Sequence, residues 1–505
     1  MGVGEHNLAR LSEQAFERHG DYESLFFEGK WYRSGELRDR SMRLAGGLIE
    51  LGIEPGDRVV VMTSNTPDVG VAYTALWRAG AAITPAIFLL SPEDLRHILV
   101  SSEARAVIVS PEWLPTVRAA SEGVETLKWT ISLGDEEDGV IGFESLLTAE
   151  PASIVDRDDS DLAALMFTGG TTGRAKGVMI SHENLYYAGK AGHEVSYIPG
   201  ITKTIVPLPL SHSYGLLVTA ASIHAVERGQ GFLQRWFDGP NFLELVQEHQ
   251  IQSGAVVPSM LQMMLTLPLE NYDLSSLQHL VSGASPLAAD VVAEFERRVP
   301  SVEIREGYGL TETTALVSTN PPGQRRLGSV GKPVPGSEVR IVDEDGNDLP
   351  RGEAGEIICR SPMIMLGYWR SDEATDESIK DGWFYSGDIG KIDEDGYIWI
   401  LDRKKDLIIR GGFNVYPRDV EDVLLEHPAV AVAGVVGKPD TVKGEEVVAF
   451  VQLDPGQEAP TSDELVEFAR GKLGKYKYPR EVRIVDQVPL TPVFKIDRKQ
   501  LRTML

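Results

Sequence analysis

From residue 165 to residue 184 the chain carries the sequence Leu165-Met-Phe-Thr-Gly-Gly-Thr-Thr-Gly-Arg-Ala-Lys-Gly-Val-Met-Ile-Ser-His-Glu-Asn184, its most informative stretch. An apolar segment typical of a strand leads into glycines and threonines, and a lysine then introduces a second apolar segment. Glycines let several backbone N–H groups approach one anion, while the hydroxyls add donors and the lysine adds charge. The stretch predicts a strand, a phosphate-binding loop and a second strand.

This loop is not a Walker A loop, because Gly-Lys-Ser/Thr is missing and a strand, not a helix, follows it. An ordinary Gly/Thr hairpin loop is the alternative interpretation. The candidate phosphate-binding residues are Thr168, Gly169, Gly170, Thr171, Thr172, Gly173 and Lys176.

On both sides of the loop, strand-like and helix-like patterns alternate. Before it, the strand-like Asp57–Thr63 precedes a helical pattern over 68–78, and Ala106–Ser110 is again strand-like. After it, the same alternation runs from 203 to 298. Strands that alternate with helices of this length predict βαβ units and parallel sheets, and therefore an α/β fold for the large N-terminal part.

The pattern changes twice towards the C-terminus. From about residue 328, short strands and the turns Asp343-Glu-Asp-Gly and Asp393-Glu-Asp-Gly predict antiparallel hairpins in a small β-barrel-like subdomain. From residue 402 onward, the pattern predicts a compact α+β unit that can fold and move on its own. Its elements are predicted as helix 417–426, strand 429–436, strand 446–453, helix 462–473 and strand 481–486. The predicted domains are therefore 1–401 and 402–505.

The composition excludes several classes of protein. The chain has 505 residues, 42% of them hydrophobic, and 49 Lys+Arg against 75 Asp+Glu give a net charge of −26. Such acidity argues against a nucleic-acid partner, because phosphate backbones need a basic surface. With Cys359 as the one cysteine, no intrachain disulfide is possible, which fits a reducing cytosol. We find no signal peptide and no transmembrane segment, and we expect a cytoplasmic protein.

Further motifs follow the loop along nearly the whole chain. They are Pro207-Leu-Pro-Leu-Ser-His-Ser-Tyr-Gly, Ser282-Gly-Ala-Ser-Pro-Leu, Gly307-Tyr-Gly-Leu-Thr-Glu-Thr, Gly355-Glu-Ile, Met365-Leu-Gly-Tyr-Trp, Tyr385-Ser-Gly-Asp-Ile-Gly, Asp402-Arg-Lys-Lys-Asp-Leu-Ile-Ile-Arg-Gly-Gly-Phe-Asn-Val-Tyr-Pro and Lys495. In this order they resemble the adenylate-forming enzymes, which include acyl- and aryl-CoA ligases, firefly luciferase and peptide-synthetase adenylation domains. The resemblance is greatest to bacterial acyl-CoA ligases.

The resemblance implies an ATP-dependent acyl-CoA ligase that uses Mg²⁺. A carboxylate attacks the α-phosphate of ATP to give an acyl-adenylate and pyrophosphate, and CoA then takes the acyl group. Glu312 and Thr168 are implied to hold Mg²⁺, and Lys495 to bridge the attacking carboxylate and the α-phosphate. His212 completes the implied catalytic set.

The implied ATP/AMP site extends beyond the loop. Tyr308 would stack on adenine, and Asp388 would bind the ribose hydroxyls with help from Arg403. Taken alone, Asp388 could be a turn residue and Glu312 a helix cap. The further implied nucleotide-binding residues are Gly283, Ala284, Glu306, Gly307, Tyr308, Gly309, Thr311, Glu312, Asp388 and Arg403.

The implied acyl pocket is formed by His212, Val257, Gly283, Gly309 and Thr313. His212 would gate or pack at its mouth, since an ionised carboxylate needs no general base. The stretches 256–260 and 309–314 contain no Lys or Arg, which disfavours a diacid. We therefore expect an apolar monocarboxylic acid, fatty or aromatic. The methionines at 260, 263 and 264 could suit a flexible apolar chain, or they could be core residues.

In the resembling enzymes the small domain rotates about a hinge after adenylation, and Asp402 takes that position here. Gly411, Gly412 and Phe413 would then line a tunnel for the thiol. The stretch 471–480 is basic, which suits the phosphates of CoA, and Lys475 and Lys477 are the expected contacts. A solvated basic surface is the alternative.

Three rival functions stay open. Phe494, Gly169 and Ala175 stand where the family usually has Gly, Ser and Pro, which leaves open an enzyme that performs only the thioester-forming half-reaction. A basic stretch could also meet an acidic carrier protein instead of CoA. For an amino-acid substrate, Asp238 is the one candidate partner of the ammonium group, and a helix cap is the alternative. A catalytically silent binder is the third rival, and a homodimer stays open.

Overall fold

The computed structural model describes residues 4–168, 174–490 and 496–505. The chain forms two compact units. The first comprises Met1–Glu338 and Cys359–Phe384, and the second Val339–Ile358 and Tyr385–Leu505. Residue 402 lies inside the second unit. A hinge at that residue stays a prediction, because compactness does not identify the pivot of a motion.

The first unit contains a nine-stranded sheet that is parallel at its centre and antiparallel at both edges. Phe232, Phe242 and Phe295 are fully buried in the core that covers this sheet. In spatial order, its strands are Lys332–Pro333, Ser318–Thr319, Glu303–Tyr308, His279–Ser282, Ser253–Val256, Lys203–Val206, Gln230–Leu233, Glu23–Phe27 and Lys30–Arg33.

A second sheet of the first unit has eight strands and is antiparallel only at the edge that carries the quoted loop. In spatial order, its strands are Gly367–Tyr368, Lys176–Ser181, Leu162–Thr168, Ala82–Pro85, Arg58–Met62, Ala106–Val109, Trp129–Ser132 and Ile141–Gly142. Thr168 lies opposite Lys176 in the antiparallel pair that flanks the loop. The two predicted strands are therefore present, whereas residues 169–173 lie outside the described part of the chain.

Several helices of the first unit begin at capping signals that the sequence contains. Ser91, for example, accepts a hydrogen bond from the backbone N–H of Asp94 (3.1 Å) and so caps the helix that starts at Pro92. The α-helices are Leu8–His19, Ser34–Glu50, Pro67–Arg78, Pro92–Ser101, Leu114–Ser121, Phe143–Leu146, His182–Ser196, Ser213–Ile223, Gly239–His249, Pro258–Leu265, Ala289–Arg298 and Asp372–Ser378. Short 3₁₀ helices are Pro111–Trp113, Leu269–Asn271 and Thr311–Thr313.

The region after residue 328 has the predicted antiparallel character. A five-stranded sheet, most of which falls in the second unit, contains Glu338–Val342, Gly355–Arg360, Trp383–Ile392, Ile379–Lys380 and Ile398–Arg403. The turn at Asp393 joins two of these strands as an antiparallel hairpin. Its carboxylate accepts hydrogen bonds from the backbone N–H groups of Asp395 and Tyr397, as an aspartate at the first position of a turn does.

The C-terminal part of the second unit is the predicted α+β unit. One five-stranded sheet consists of Phe413–Val415, Ile408–Arg410, Gly444–Leu453, Val430–Asp440 and Glu481–Val485. The helices are Pro417–Leu425, Ser462–Lys472 and Arg498–Thr503, with a 3₁₀ turn at Lys404–Asp406. Every element predicted here is present within a few residues, because apolar runs that alternate with charged helices mark them clearly.

Two sequence-based expectations about side chains can be checked directly. Asp238 caps the helix Gly239–His249 by accepting a hydrogen bond from the backbone N–H of Asn241 (2.8 Å), so the helix-cap interpretation is confirmed. Of the three methionines, Met260 and Met264 are core residues and Met263 is exposed. Among the described helices, none combines the length and the apolar character that crossing a bilayer requires.

Candidate functional site

Neighbouring parallel strands of the nine-stranded sheet end at candidate site residues. Val257 follows the strand that ends at Val256, Gly283 follows Ser282, and Gly309 follows Tyr308. Because the carboxyl ends of parallel strands meet at one edge of a sheet, the chain places these residues side by side, where open α/β sheets bind their ligands.

Two residues at this edge, Ala284 and Gly309, have an unusual backbone environment. Ala284 has a φ of +70°, in the left-handed region that a residue with a side chain rarely adopts. At Gly309 an added Cβ would lie 2.2 Å from the backbone of Ala315, so only glycine fits there. Strained or crowded backbone of this kind is common at functional sites, and here it lies at the edge of the sheet that the motifs mark.

Glu312 lies in the 3₁₀ turn just after this edge and is held by a residue for which no role was predicted. The hydroxyl of Tyr368 donates a hydrogen bond to Oε1 of Glu312 (2.9 Å). The ring of Tyr368 also lies 5.0 Å from Nζ of Lys176. Tyr368 thus joins the predicted magnesium ligand to the lysine at the end of the phosphate loop. Its only signal in the sequence is its place in the motif Met365-Leu-Gly-Tyr-Trp.

The side chains around Glu312 fit a magnesium ion that is bound with ATP. Among the described residues, no three His, Cys, Asp or Glu side chains form a group that could bind a metal by themselves. One carboxylate together with phosphate oxygens and water is, however, a usual ligand set of Mg²⁺. Thr168 lies half-buried on the strand before the loop, opposite Lys176.

His212 is bound into the start of a helix. Its Nδ1 accepts a hydrogen bond from the backbone N–H of Tyr214 (3.2 Å), which caps the helix Ser213–Ile223. The hydroxyl of Tyr214 donates to the carbonyl of Val281 (2.9 Å), and its ring would lie 3.5 Å from a Cβ at Gly283. The structure therefore brings the start of the helix that His212 caps close to the strand end at Gly283. A gating or packing role stays a prediction.

The other predicted pocket and nucleotide-binding residues of the first unit lie in the 3₁₀ turn around Glu312 and on the strand before it. Thr311 donates a weak hydrogen bond to the hydroxyl of Ser213 (3.4 Å), which links the Glu312 turn to the helix that His212 caps. Thr313 is fully buried, and its hydroxyl bonds to the backbone of Leu310 within the turn. Glu306 is buried, and Gly307 and Tyr308 pair with the neighbouring antiparallel strand.

Asp388 and Arg403 form an ion pair in the second unit. They face each other across an antiparallel pair of strands, and Nε of Arg403 lies 2.7 Å from Oδ1 of Asp388. Next to them, Glu356 accepts hydrogen bonds from the backbone N–H of Gly387 (3.1 Å) and from Nζ of Lys404 (2.8 Å). Asp388 and Arg403 are thus paired with each other, and their binding of the ribose stays a prediction. Glu356, which belongs to the motif Gly355-Glu-Ile, received no predicted role.

Asp402 is buried at the end of its strand. Its two oxygens accept hydrogen bonds from the backbone N–H groups of Arg403 (2.7 Å) and Arg418 (2.9 Å). Burial raises the pKa of this carboxyl group, and the nearby Arg498 partly opposes that shift. Arg498 itself binds both carboxylate oxygens of Glu421 (2.8 and 2.7 Å). The residue predicted as the hinge therefore lies close to buried charges of the second unit.

The predicted CoA-binding residues lie on one exposed turn and one basic stretch. Gly411 and Gly412 have φ values of +59° and +81°, which glycine adopts without strain. Phe413 is 58% exposed, and its ring lies 5.0 Å from the ring of Tyr476. Lys477 forms an ion pair with Asp419, whereas Lys475 is exposed. The predicted adenylation lysine, Lys495, lies outside the described residues.

Comparisons with known proteins identify the family. Residues 11–369 match the AMP-binding enzyme family, and residues 419–495 match the AMP-binding enzyme C-terminal domain. The chain is 34% identical to a long-chain-fatty-acid–CoA ligase of Salmonella typhimurium, over 98% of this chain and 94% of that protein. It is also 34% identical to a feruloyl-CoA synthase of an Amycolatopsis species, over 98% and 96% of the two chains.

A solved structure supports the same assignment. The anthranilate CoA ligase AuaEII in complex with anthranoyl-AMP superposes with a TM-score of 0.91 at 26% identity, and covers 99% of this chain and 97% of its own. The α/β fold predicted from the sequence is therefore confirmed. The chain belongs to the family of AMP-binding, adenylate-forming enzymes.

Proposed function

We propose that this protein is an ATP-dependent acyl-CoA ligase that activates an apolar monocarboxylic acid, fatty or aromatic. The observation that carries the proposal is the contact of Tyr368 with both Glu312 and Lys176, next to the strand ends at Gly283 and Gly309. This arrangement places a carboxylate, a lysine and crowded backbone at the edge where such sheets bind ligands. The predicted reaction class, an AMP-forming acid–thiol ligase, is confirmed by relatives named for this activity.

In the first half-reaction, a carboxylate oxygen of the acid attacks the α-phosphorus of ATP. The bond to the bridging oxygen breaks, and pyrophosphate leaves with its electron pair. Mg²⁺, when bound, neutralises phosphate charge, and Glu312 would hold it. Lys176 adds positive charge at the loop, and Lys495 is proposed to stabilise the charge that develops at the α-phosphate.

In the second half-reaction, the thiolate of CoA attacks the acyl carbon of the adenylate, and AMP leaves. Asp388 and Arg403 are proposed to hold the ribose during both steps. Phe413 and Lys475, exposed on the second unit, are proposed as contacts of the thiol substrate. We propose that Lys477 contributes only after it leaves Asp419, because its charge is already paired.

The proposed acid follows from the charge of the pocket stretches. No Lys or Arg occurs in 256–260 or 309–314, so a second carboxylate on the substrate would be desolvated without a partner. Met260 and Met264 are buried core residues, so the choice of acyl chain does not rest on them. The relatives above are named for a fatty acid and for ferulic acid, and both acids fit this description.

The test is thioester formation over a panel of acids, with ATP and Mg²⁺ present. Medium- and long-chain fatty acids and aromatic acids should react, and dicarboxylic acids of similar size should react at least about tenfold more slowly. A preference for a diacid would contradict the proposed substrate class. CoA and an acidic carrier protein are compared as acceptors, and transfer to the carrier protein alone would contradict the proposed acceptor.

We also propose that the enzyme acts in the cytoplasm, where ATP and CoA are supplied and Cys359 stays reduced. Fractionation of cells that produce the protein at its natural level tests this placement. Recovery with a membrane or extracellular fraction would contradict it.

A further inference from the structure

Three buried asparagine side chains hold separate backbone segments around the candidate site of the first unit. They are Asn65, Asn184 and Asn320, which are 3%, 5% and 1% exposed. An asparagine amide offers two donors and an acceptor, so it can bind C=O and N–H groups of different segments at the same time. No role was predicted for any of the three from the sequence.

Asn65 holds the segment that leads to His212. Its Nδ2 donates to the carbonyls of Leu208 (2.7 Å) and Gln234 (3.0 Å), and its Oδ1 accepts from the backbone N–H of Leu210 (2.9 Å). Asn65 itself follows a strand of the eight-stranded sheet, whereas its partners follow strands of the nine-stranded sheet. It therefore fixes the acid-binding segment to the neighbouring sheet.

Asn320 holds the strand that ends at Tyr308. Its backbone N–H donates to the carbonyl of Glu306 (2.9 Å), and its Nδ2 donates to that of Ser329 (2.7 Å) and more weakly to Glu306 (3.4 Å). Its Oδ1 accepts from the backbone N–H of Arg326 (2.9 Å). The strand end proposed to bind adenine is thus fixed to the loop around residues 326–329.

Asn184 holds the segment that precedes Tyr368 by hydrogen bonds to its backbone. Its Nδ2 donates to the carbonyls of Pro362 (2.7 Å) and Ile364 (3.0 Å). Its Oδ1 accepts from the backbone N–H of Ser181 (2.9 Å), at the end of the strand that begins at the phosphate loop. The segment that carries Tyr368 is thereby fixed to the strand that carries Lys176.

We propose that these asparagines are positioning residues that divide the site between them. Asn65 positions the segment for the acid, Asn320 the strand end for the nucleobase, and Asn184 the segment for Tyr368. The inference rests on the proposed function, because it names which substrate each segment serves. Asn65 and Asn320 share no hydrogen-bond partner among those above, so disturbing one should leave the other subsite in place.

The experiment compares Asn65→Asp with Asn320→Asp. Each change keeps the shape of the side chain but replaces the Nδ2 donor by an oxygen that faces carbonyl oxygens, which disrupts the held segment. In the thioester assay, Asn65→Asp should raise the KM for the acid about tenfold and change the KM for ATP by less than about twofold. Asn320→Asp should raise the KM for ATP about tenfold and change the KM for the acid by less than about twofold.

If the asparagines only stabilise the fold, neither variant should change the KM for one substrate more than the KM for the other. The matched control is Asn7→Ala, since Asn7 is fully buried and caps the helix Leu8–His19 but holds no segment of the site. This control should lower Tm and leave both KM values unchanged. If the Asp variants lower Tm without either selective shift, or raise both KM values together, the proposal is wrong.

Two further measurements keep the test decisive. If the Asp variants do not fold, Asn65→Ser and Asn320→Ser, which keep a small hydroxyl, are compared in the same way. Calorimetric ATP binding gives a readout that does not need turnover, and Asn320→Asp should weaken it about tenfold while Asn65→Asp leaves it unchanged. If only Asn320→Asp weakens ATP binding but the parent protein activates no acid, the proposed function fails and the positioning role of Asn320 stands. Equal ATP binding by both variants would overturn the inference.

Discussion

The candidate site residues of the two units are held in different ways. In the first unit, Gly283 and Gly309 follow directly from parallel strands, and Glu312 is held by the neutral hydroxyl of Tyr368. In the second unit, some of the charged candidate residues are held by ion pairs, namely Asp388 with Arg403 and Lys477 with Asp419. Backbone geometry and neutral hydrogen bonds are insensitive to which anion is bound, whereas ion pairs compete directly with an incoming phosphate.

The contrast suits a reaction with two half-reactions. A fixed site can bind the acid and the nucleotide throughout, while a charged side chain can exchange one anionic partner for another between the steps. Lys477, paired with Asp419, is an example in the second unit. We infer that the first unit determines which acid binds, and that exchange of ion-pair partners in the second unit accompanies the change from one half-reaction to the other.

The largest effect is expected from Lys495→Ala. Loss of one preorganised donor at a developing oxyanion costs about 2.7–4 kcal/mol, or roughly 10²–10³ in rate. The overall reaction from free acid and ATP should lose that factor, whereas thioester formation from preformed acyl-adenylate should stay near the parent rate. Both rates are measured by following thioester. An equal loss in the two assays would show that this lysine is not confined to the first half-reaction.

The opposite selectivity is expected from Asp402→Pro. Proline fixes φ and would prevent rotation at the proposed hinge, so thioester formation should fall roughly 10²-fold while pyrophosphate exchange survives. The control is Asp402→Ala, which removes the same carboxylate but leaves the backbone free. If Asp402→Ala impairs thioester formation as much as Asp402→Pro does, the carboxylate and not the backbone rotation matters.

A smaller effect is expected in the first unit from Tyr368→Phe. The variant loses the hydrogen bond to Glu312, and a hydrogen bond to a charged group is worth about 1.5–3 kcal/mol, so adenylation should slow about tenfold or more and need more Mg²⁺. Pyrophosphate exchange is measured against Mg²⁺ concentration. Tyr197→Phe is the matched control, because it removes a Tyr–Glu hydrogen bond (3.1 Å to Glu227) of a pair outside the proposed site. Unchanged Mg²⁺ dependence in Tyr368→Phe would contradict the role of Tyr368.

The smallest effect concerns pH and stability. His182 is buried in the first unit, which lowers its pKa to about 4, and its Nδ1 accepts a hydrogen bond from the backbone N–H of Leu8 (3.3 Å). At a pH between about 4 and the ordinary pKa of histidine, His182 is protonated in the unfolded chain but not in the folded chain. The free energy of unfolding therefore falls as the pH drops through this range, by up to about 1.4 kcal/mol per pH unit.

His182→Asn keeps an acceptor near the position of Nδ1 but cannot titrate, so its free energy of unfolding should fall less than that of the parent between pH 7 and pH 5. Asp402, with its raised pKa, acts in the opposite direction, because the folded second unit holds a proton more readily than the unfolded chain. Denaturant unfolding at both pH values provides the measurement. Equal pH slopes of parent and His182→Asn would show that His182 does not contribute.

Much of the fold could be predicted because its signals are local. The strands that flank the phosphate loop and the helices and strands of the C-terminal unit follow from apolar periodicity and turn residues in short windows of sequence. The strand-end residues Gly283 and Gly309 could likewise be found from motifs, since the carboxyl ends of parallel strands meet at one edge.

Several partners of the site residues could not be predicted, because they come from distant parts of the chain. Tyr368 contacts Glu312 across a separation of 56 residues, and Asn65 contacts Leu208 across 143. Lys477 was expected to be available to CoA, but its partner Asp419 is 58 residues away. Periodicity carries no information about such pairs, and only the folded chain shows them.

Pyrophosphate exchange without CoA tests most directly whether the protein forms an acyl-adenylate from free acid and ATP. The parent protein is incubated with ATP, Mg²⁺, labelled pyrophosphate and an apolar monocarboxylic acid that it converts to a thioester. Label should enter ATP only when the acid is present, because the acyl-adenylate forms before the thiol enters. If no acid of a broad panel supports exchange while a synthetic acyl-adenylate still yields thioester, the protein performs only the second half-reaction, which contradicts the proposed ATP-dependent activation.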